Sequence, residues 1–178
     1  MSRFSLSSLE RYAFPGQTSD FLIGLGGKAF EFLSDDINFL FISCGQNDVS
    51  KLQDQFQSEI EVAEYISRHI SDWLCHIAST FVNLKILFFP LYLRKRNTQE
   101  NPRYPISTND VYINRINGIL TNLNNILKSC LCHKDNVCIM EMSTKCLTIS
   151  DGLHLTEEGK QEILAEVVAQ YSIFKSHS

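Results

Sequence analysis

Residues Phe39–Lys51 read FLFISCGQNDVSK. With Ile37 ahead of it, the run Ile37–Cys44 is almost continuously apolar, as expected of a strand covered on both faces. It then stops on Gly45 and turns polar at Gln46, Asn47 and Asp48. A plain turn uses such residues, because Asx side chains bond to nearby backbone. A working loop at the carboxyl end of a parallel strand uses them too. The flanking sequence has to separate the two.

Moving outward, hydrophobic periodicity predicts an alternation of strands and helices. Val62, Ile66, Ile70, Trp73, Ile77 and Phe81 recur at steps of three and four and form one helical stripe. Leu84–Leu93 reads as a second buried strand, and Arg94–Ser107 as a long polar loop. Thr108–Lys128 is helical, with Tyr112, Ile116, Ile119, Leu123 and Ile126 on one face. Asn136–Met142 is a third strand, and Leu147–Leu155 a loop. The last helix is Glu157–Phe174, with Thr156 as N-cap and Leu164, Val167, Val168, Tyr171 and Phe174 turned inward. Toward the N-terminus, Arg11–Phe14 reads as a short strand before Pro15-Gly16. Asp20–Leu33 reads as a helix weakened by Gly24, Gly26 and Gly27. The GLGGK stretch, Gly24–Lys28, follows no strand and fits no phosphate loop. Alternating strands and helices imply a parallel sheet with helices on both faces, with working residues at the carboxyl ends of strands.

The chain has 178 residues, enough for one domain, 1–178. A net charge of −4 gives no global pull toward nucleic acid. No signal peptide is expected at the N-terminus. The longest apolar run, Leu84–Leu93, is too short to span a bilayer. No Asn-x-Ser/Thr occurs, and the six cysteines read as reduced thiols, so a cytoplasmic or nuclear protein is expected. Cys130, Cys132, His133 and Cys138 have a spacing that fits no common zinc module, so no metal is expected there. Arg94, Lys95, Arg96 and Arg103, with Tyr104, make a basic loop. It reads as a solvated loop or, in the alternative, as a contact surface for RNA or an acidic substrate.

A second stretch carries chemistry: SDGLHLTEEGK, Ser150–Lys160. Asp151 and His154 stand three apart just before a helix. In a turn, that spacing lets the carboxylate reach one ring nitrogen, fix the tautomer and leave the other nitrogen as a general base. The pair and the Gly45–Asp48 turn are expected on the same sheet edge. There the Asn47 amide can donate to a developing oxyanion, as can the backbone N–H of Gly16 in a sharp turn.

Gly45-x-Asn47-Asp48 after a strand resembles block III of the SGNH (GDSL-type) hydrolases. Asp151-Gly152-Leu153-His154-Leu155, followed by Gly159, resembles their block V. Phe14-Pro15-Gly16 resembles block II, in the form found in esterase domains of some non-LTR retrotransposons. The resemblance runs from about Phe14 to the end. It implies a three-layer, flavodoxin-like α/β sandwich with five parallel strands. It also implies ester or acyl-ester hydrolysis without metal or cofactor, with His154 as base, Asp151 as its orienter, and Gly16 and Asn47 as oxyanion donors to a small ester substrate.

The family nucleophile is the serine of a Gly-Asp-Ser motif at the end of the first strand, and this sequence has no Gly-Asp-Ser. If Arg3 matches an arginine that often follows that serine by three positions, the nucleophile falls just before Met1. The first strand is then missing, and the domain is N-terminally incomplete. Ser2, Ser5, Ser7 and Ser8 are nearby hydroxyls, but no predicted strand aims any of them; Ser2 is the nearest candidate. Two readings follow. One is an SGNH-type esterase domain. The other is a catalytically inactive SGNH-like module that binds RNA or protein.

Overall fold

The computed structural model describes residues 17–20, 38–100, 105–140 and 148–176 of the chain. The expected strand Arg11–Phe14 and most of the expected helix Asp20–Leu33 lie outside these residues. So do Ser2, Gly16 and Arg103.

The described residues form a mixed α/β fold around three parallel strands. β1 is Phe39–Ile42, β2 Lys85–Phe88 and β3 Val137–Ile139, in the order β1-β2-β3. Leu40 pairs with Ile86, and Leu87 with Cys138. All three strands fall inside their expected apolar runs but are shorter. At β2 the residues trimmed from the carboxyl end, Phe89–Leu93, leave the sheet as a loop. This is the flavodoxin-like α/β arrangement that the alternating pattern predicts.

The helices are α1 (Gln46–Leu52), α2 (Glu59–Thr80), α3 (Asp110–Leu131) and α4 (Glu157–Ser176), with a 3-10 turn at Pro105–Thr108. α2 begins on a capping box: the Ser58 hydroxyl accepts from the Glu61 N–H, and the Glu61 carboxylate accepts from the Ser58 N–H. α3 is capped by Asn109, which accepts from the N–H groups of Val111 and Tyr112. Thr156 caps α4 by accepting from the Gly159 N–H at 3.1 Å, as expected.

Strand alternation sorts the core into two faces. Ile86 and Phe88 of β2, with Leu40, Ile42, Val137 and Ile139, pack against α2 and α3, which bury Ile66, Ile70, Ile77, Ile116, Ile119 and Leu123. Each such side chain, fully buried, contributes about 1.5–3 kcal/mol relative to exposure. Leu87, Phe89 and Met140 face the other way, against Phe39, Ile163 and Val167. The Tyr171 ring meets Phe39 edge-on at 5.2 Å. The expected inward face of α4 holds at Val167 and Tyr171 and is corrected at Leu164 and Val168. Leu164 is 56% exposed and Val168 39%, whereas Ile163 and Val167 reach the sheet. The contacting row is 163, 167 and 171, one residue earlier than the row 164 and 168. One residue is 100° around a helix, enough to turn that second row outward.

Candidate active site

The Gly45 turn is built by its glycine. Gly45 sits at φ 112°, a left-handed conformation that L side chains rarely adopt. It is buried under Leu91 and Ile70, so an added Cβ would stand 2.9 Å from Leu91 Cδ1. The chain then enters a helix directly: Gln46, Asn47 and Asp48 are the first turn of α1, not the open turn that the sequence suggests.

Two of these side chains reach back to the segment that follows Gly16. The Asn47 amide donates to the Gln17 carbonyl at 2.9 Å. Asp48 is only 2% exposed, and its carboxylate accepts from the Ser19 N–H at 3.0 and 2.9 Å and from the Ser19 hydroxyl at 2.5 Å. Gly16 itself lies outside the described residues, but its neighbour Gln17 is bonded to Asn47. The same Asp48 charge, after burial as the larger cause, pushes the Cys44 thiol up to about 12. Cys44 is therefore an un-ionised thiol at neutral pH and no candidate nucleophile.

The Asp151–His154 pair has the geometry its spacing predicts. Asp151 Oδ2 lies 2.5 Å from His154 Nδ1. Asp151 Oδ1 accepts from the Leu153 N–H at 2.8 Å and the His154 N–H at 2.9 Å. With the carboxylate accepting, Nδ1 carries a proton, and the other ring nitrogen, Nε2, takes no part in this bond. The His154 side chain is 73% exposed and that of Asp151 18%. Burial pushes the Asp151 carboxyl up, but bonds from the His154 ring and from the His154 and Leu153 N–H groups outweigh it. With the attraction of the imidazolium added, the group is held below the ordinary carboxylate value.

The loop is closed by Gly152 and an antiparallel bridge between Thr148 and Leu155. Gly152 has φ 71° and is pressed on the Lys95 backbone, so an added Cβ would collide with the Lys95 carbonyl. The Lys95 N–H donates to the Gly152 carbonyl at 2.9 Å, and the Thr98 N–H to the Ser150 carbonyl at 2.8 Å. The segment leaving β2 is thus stitched to the loop that carries the histidine.

That segment makes the bonds that the sequence does not foretell. The Tyr92 hydroxyl donates to the Leu153 carbonyl at 2.6 Å. The Gln46 amide donates to the Tyr92 carbonyl at 2.8 Å. Arg94 donates through Nη2 to the Gln46 carbonyl at 2.9 Å and to the Ser50 hydroxyl at 2.6 Å, and through Nε to Gln46 Oε1 at 3.3 Å. Asn117 and Asn124, two turns apart on α3, each bond reciprocally to this segment's backbone: Asn117 to Arg94, and Asn124 to Leu91. The turn of Asn47 and the loop of His154 are therefore joined through one strap, Leu91–Thr98.

The basic set is divided. Arg94 was grouped with the exposed cations on the sequence; the structure turns its guanidinium inward, where it serves Gln46 and Ser50. Burial pulls its pKa below the usual value, partly offset by Tyr112 and Tyr92. Arg96 pairs with Asp110 at 3.5 Å, with both side chains exposed. Lys95 is exposed. Among the described residues no group of three or more His, Cys, Asp or Glu side chains is placed to hold a metal ion. Nor is any described helix long and apolar enough to cross a membrane.

No family model matches the chain, and no curated protein matches it in sequence. Among solved structures it is similar to the crystal structure of phospholipase A1 from Streptomyces albidoflavus NA297. The TM-score is 0.58 at 13% identity, over 86% of this chain and 76% of that one. At that identity the likeness is one of fold: this chain shares the α/β architecture of that phospholipase.

Proposed function

We propose that the domain has the site of an SGNH-type ester hydrolase. The observation that carries this reading is the Asp151–His154 pair at 2.5 Å, carried on a loop whose backbone is tied through Tyr92 and Gln46 to the Asn47 turn. The fold shared with a phospholipase A1 supports it. In this reading a serine hydroxyl attacks the ester carbonyl and passes its proton to His154 Nε2. Asp151 stabilises the resulting imidazolium. The carbonyl oxygen becomes an oxyanion and accepts from Asn47 Nδ2 and the Gly16 N–H. Asn47 spends one amide hydrogen on Gln17 and keeps the second for this role. Collapse expels the alcohol, which takes the proton from His154. Water, deprotonated by the same imidazole, then releases the acid and restores the serine.

The serine is not assigned among the described residues. The sequence holds no Gly-Asp-Ser, and among the described residues no serine hydroxyl is hydrogen-bonded to His154. The 178-residue chain is therefore expected to match its His154→Ala variant on p-nitrophenyl acetate. A chain extended upstream by a hydrophobic strand ending in Gly-Asp-Ser is expected to hydrolyse it, and to lose that activity with His154→Ala. An extended, folded chain no faster than its His154→Ala variant would remove the hydrolase reading.

A further inference from the structure

Tyr92 and Asp151 hold opposite ends of one peptide unit. The Tyr92 hydroxyl donates to the carbonyl of Leu153, and the N–H of the same peptide, on His154, donates to Asp151 Oδ1. Arg94 repeats the arrangement on the other side of the strap. Its Nη2 holds the Gln46 carbonyl, the end of the peptide that leads into Asn47. In both places the strap grips the carbonyl of the residue just before the functional one.

The Arg94 contact is more than a space-filling one. Removing a guanidinium from water is costly unless its donors are satisfied. The oxygens that accept from it belong to Gln46 and Ser50, the first two turns of α1. Gln46 answers through its own amide, which donates to the Tyr92 carbonyl. The Gln46 side chain is thus held through both its oxygen and its nitrogen. The strap itself is anchored to α3 by the paired bonds of Asn117 and Asn124. Rigid supporting bonds of this kind hold a site within the tolerance that chemistry needs.

We propose that Tyr92 and Arg94 are the positioning residues of this site, Tyr92 setting the peptide that carries His154 and Arg94 the peptide that carries Asn47. The catalytic meaning rests on the hydrolase reading; the positioning itself does not, and it is tested without turnover. The full chain is compared with Tyr92→Phe and Arg94→Lys by thermal melting, by carboxyl NMR titration of Asp151 (assigned with Asp151→Asn), and by amide hydrogen exchange.

Tyr92→Phe is expected to raise the Asp151 midpoint toward the ordinary carboxylate value, because the donors that hold it down lose their anchor. The His154 amide should exchange about tenfold faster, the scale of one lost hydrogen bond. Arg94→Lys is expected to leave the Asp151 midpoint in place and to shift the Asn47 side-chain amide signals. A Tyr92 with a merely structural role would lower the melting temperature and leave the Asp151 midpoint unchanged; that result overturns the proposal for Tyr92. If Tyr92→Phe fails to fold, Arg94→Lys decides alone, and unshifted Asn47 signals overturn it. Absent turnover in the extended chain would count against the hydrolase reading and leave these measurements intact.

Discussion

The buried Asp48 carboxylate takes both donors of Ser19, the backbone N–H and the hydroxyl, across 29 positions of sequence. The neighbouring Asn47 takes hold of the same segment two residues earlier, donating to the Gln17 carbonyl. These bonds explain why an apolar strand runs into Gly-Gln-Asn-Asp. Gly45 makes the sharp exit, Gln46 faces the strap, and Asn47 and Asp48 fasten the stretch that follows Gly16.

Replacing Asp48 tests that fastening. Asp48→Ala would leave the Ser19 N–H and hydroxyl without their acceptor in a buried place. An unsatisfied buried donor costs about 1–3 kcal/mol. Asp48→Asn keeps one acceptor oxygen and should lose less. Urea unfolding is the measurement: the midpoint should fall in the order parent, Asn, Ala, at an unchanged m-value.

Gly152→Ala should be among the most damaging substitutions on the surface loops. The residue sits at φ 71°, and its added Cβ would collide with the Lys95 carbonyl, a backbone atom that cannot rotate away. Left-handed backbone at a non-glycine residue alone costs of order 1–3 kcal/mol. The strap must also move, so the bond from the Lys95 N–H to the Gly152 carbonyl should open. A lowered melting temperature together with faster exchange of the Lys95 amide is expected. A parental value for both would show that the loop and strap are not in register as described.

The two halves of the site differed in how legible they were. Asp151 and His154 are a local pair, three residues apart, so spacing alone predicts their contact. The sheet was legible because its three strands are apolar runs placed between amphipathic helices. Tyr92, Arg94 and Gln46 were hidden because their bonds span 46 to 61 positions and use residue types with no signature. Arg94 was read with its neighbours because Arg-Lys-Arg resembles a solvated run. What separates it is direction: Arg94 reaches inward onto Gln46, while Lys95 and Arg96 are exposed. On α4 the sequence places Leu164 and Val168 inward beside Val167 and Tyr171, because they are as apolar as Ile163 and Val167. Only the sheet against the helix chooses between the rows.

In a chain extended upstream by a hydrophobic strand ending in Gly-Asp-Ser, Asn47→Asp should separate catalysis from folding. Aspartate matches asparagine in size but offers no amide hydrogen to an oxyanion. Loss of one oxyanion donor costs about 10²–10³ in kcat. The bond to the Gln17 carbonyl is lost as well, so a melting curve should accompany the kinetics. A kcat on p-nitrophenyl acetate that falls on this scale with KM little changed is expected. An unaltered kcat would exclude Asn47 from the oxyanion site.

The acid limb of stability should carry the signature of Asp151. Its carboxyl is held below the ordinary carboxylate value in the folded chain; burial opposes this, and the bonds from His154 and Leu153 override it. The unfolded chain binds the proton more readily, so folding releases it. A depressed folded value contributes stability that is fully present above the unfolded carboxylate pKa. That contribution shrinks as pH falls from the unfolded value toward the lower folded one, and is gone below both. Stability of the parent chain should therefore decline through the acid range, with Asp151 supplying part of the slope. Asp151→Asn cannot titrate and should flatten that part while lowering stability at neutral pH. His154→Ala removes the ring bond but leaves the two backbone donors, so its curve should lie between the two. Urea midpoints measured every half pH unit for the three chains provide the check. Identical acid slopes in parent and Asp151→Asn would mean that the 2.5 Å contact contributes nothing to folding.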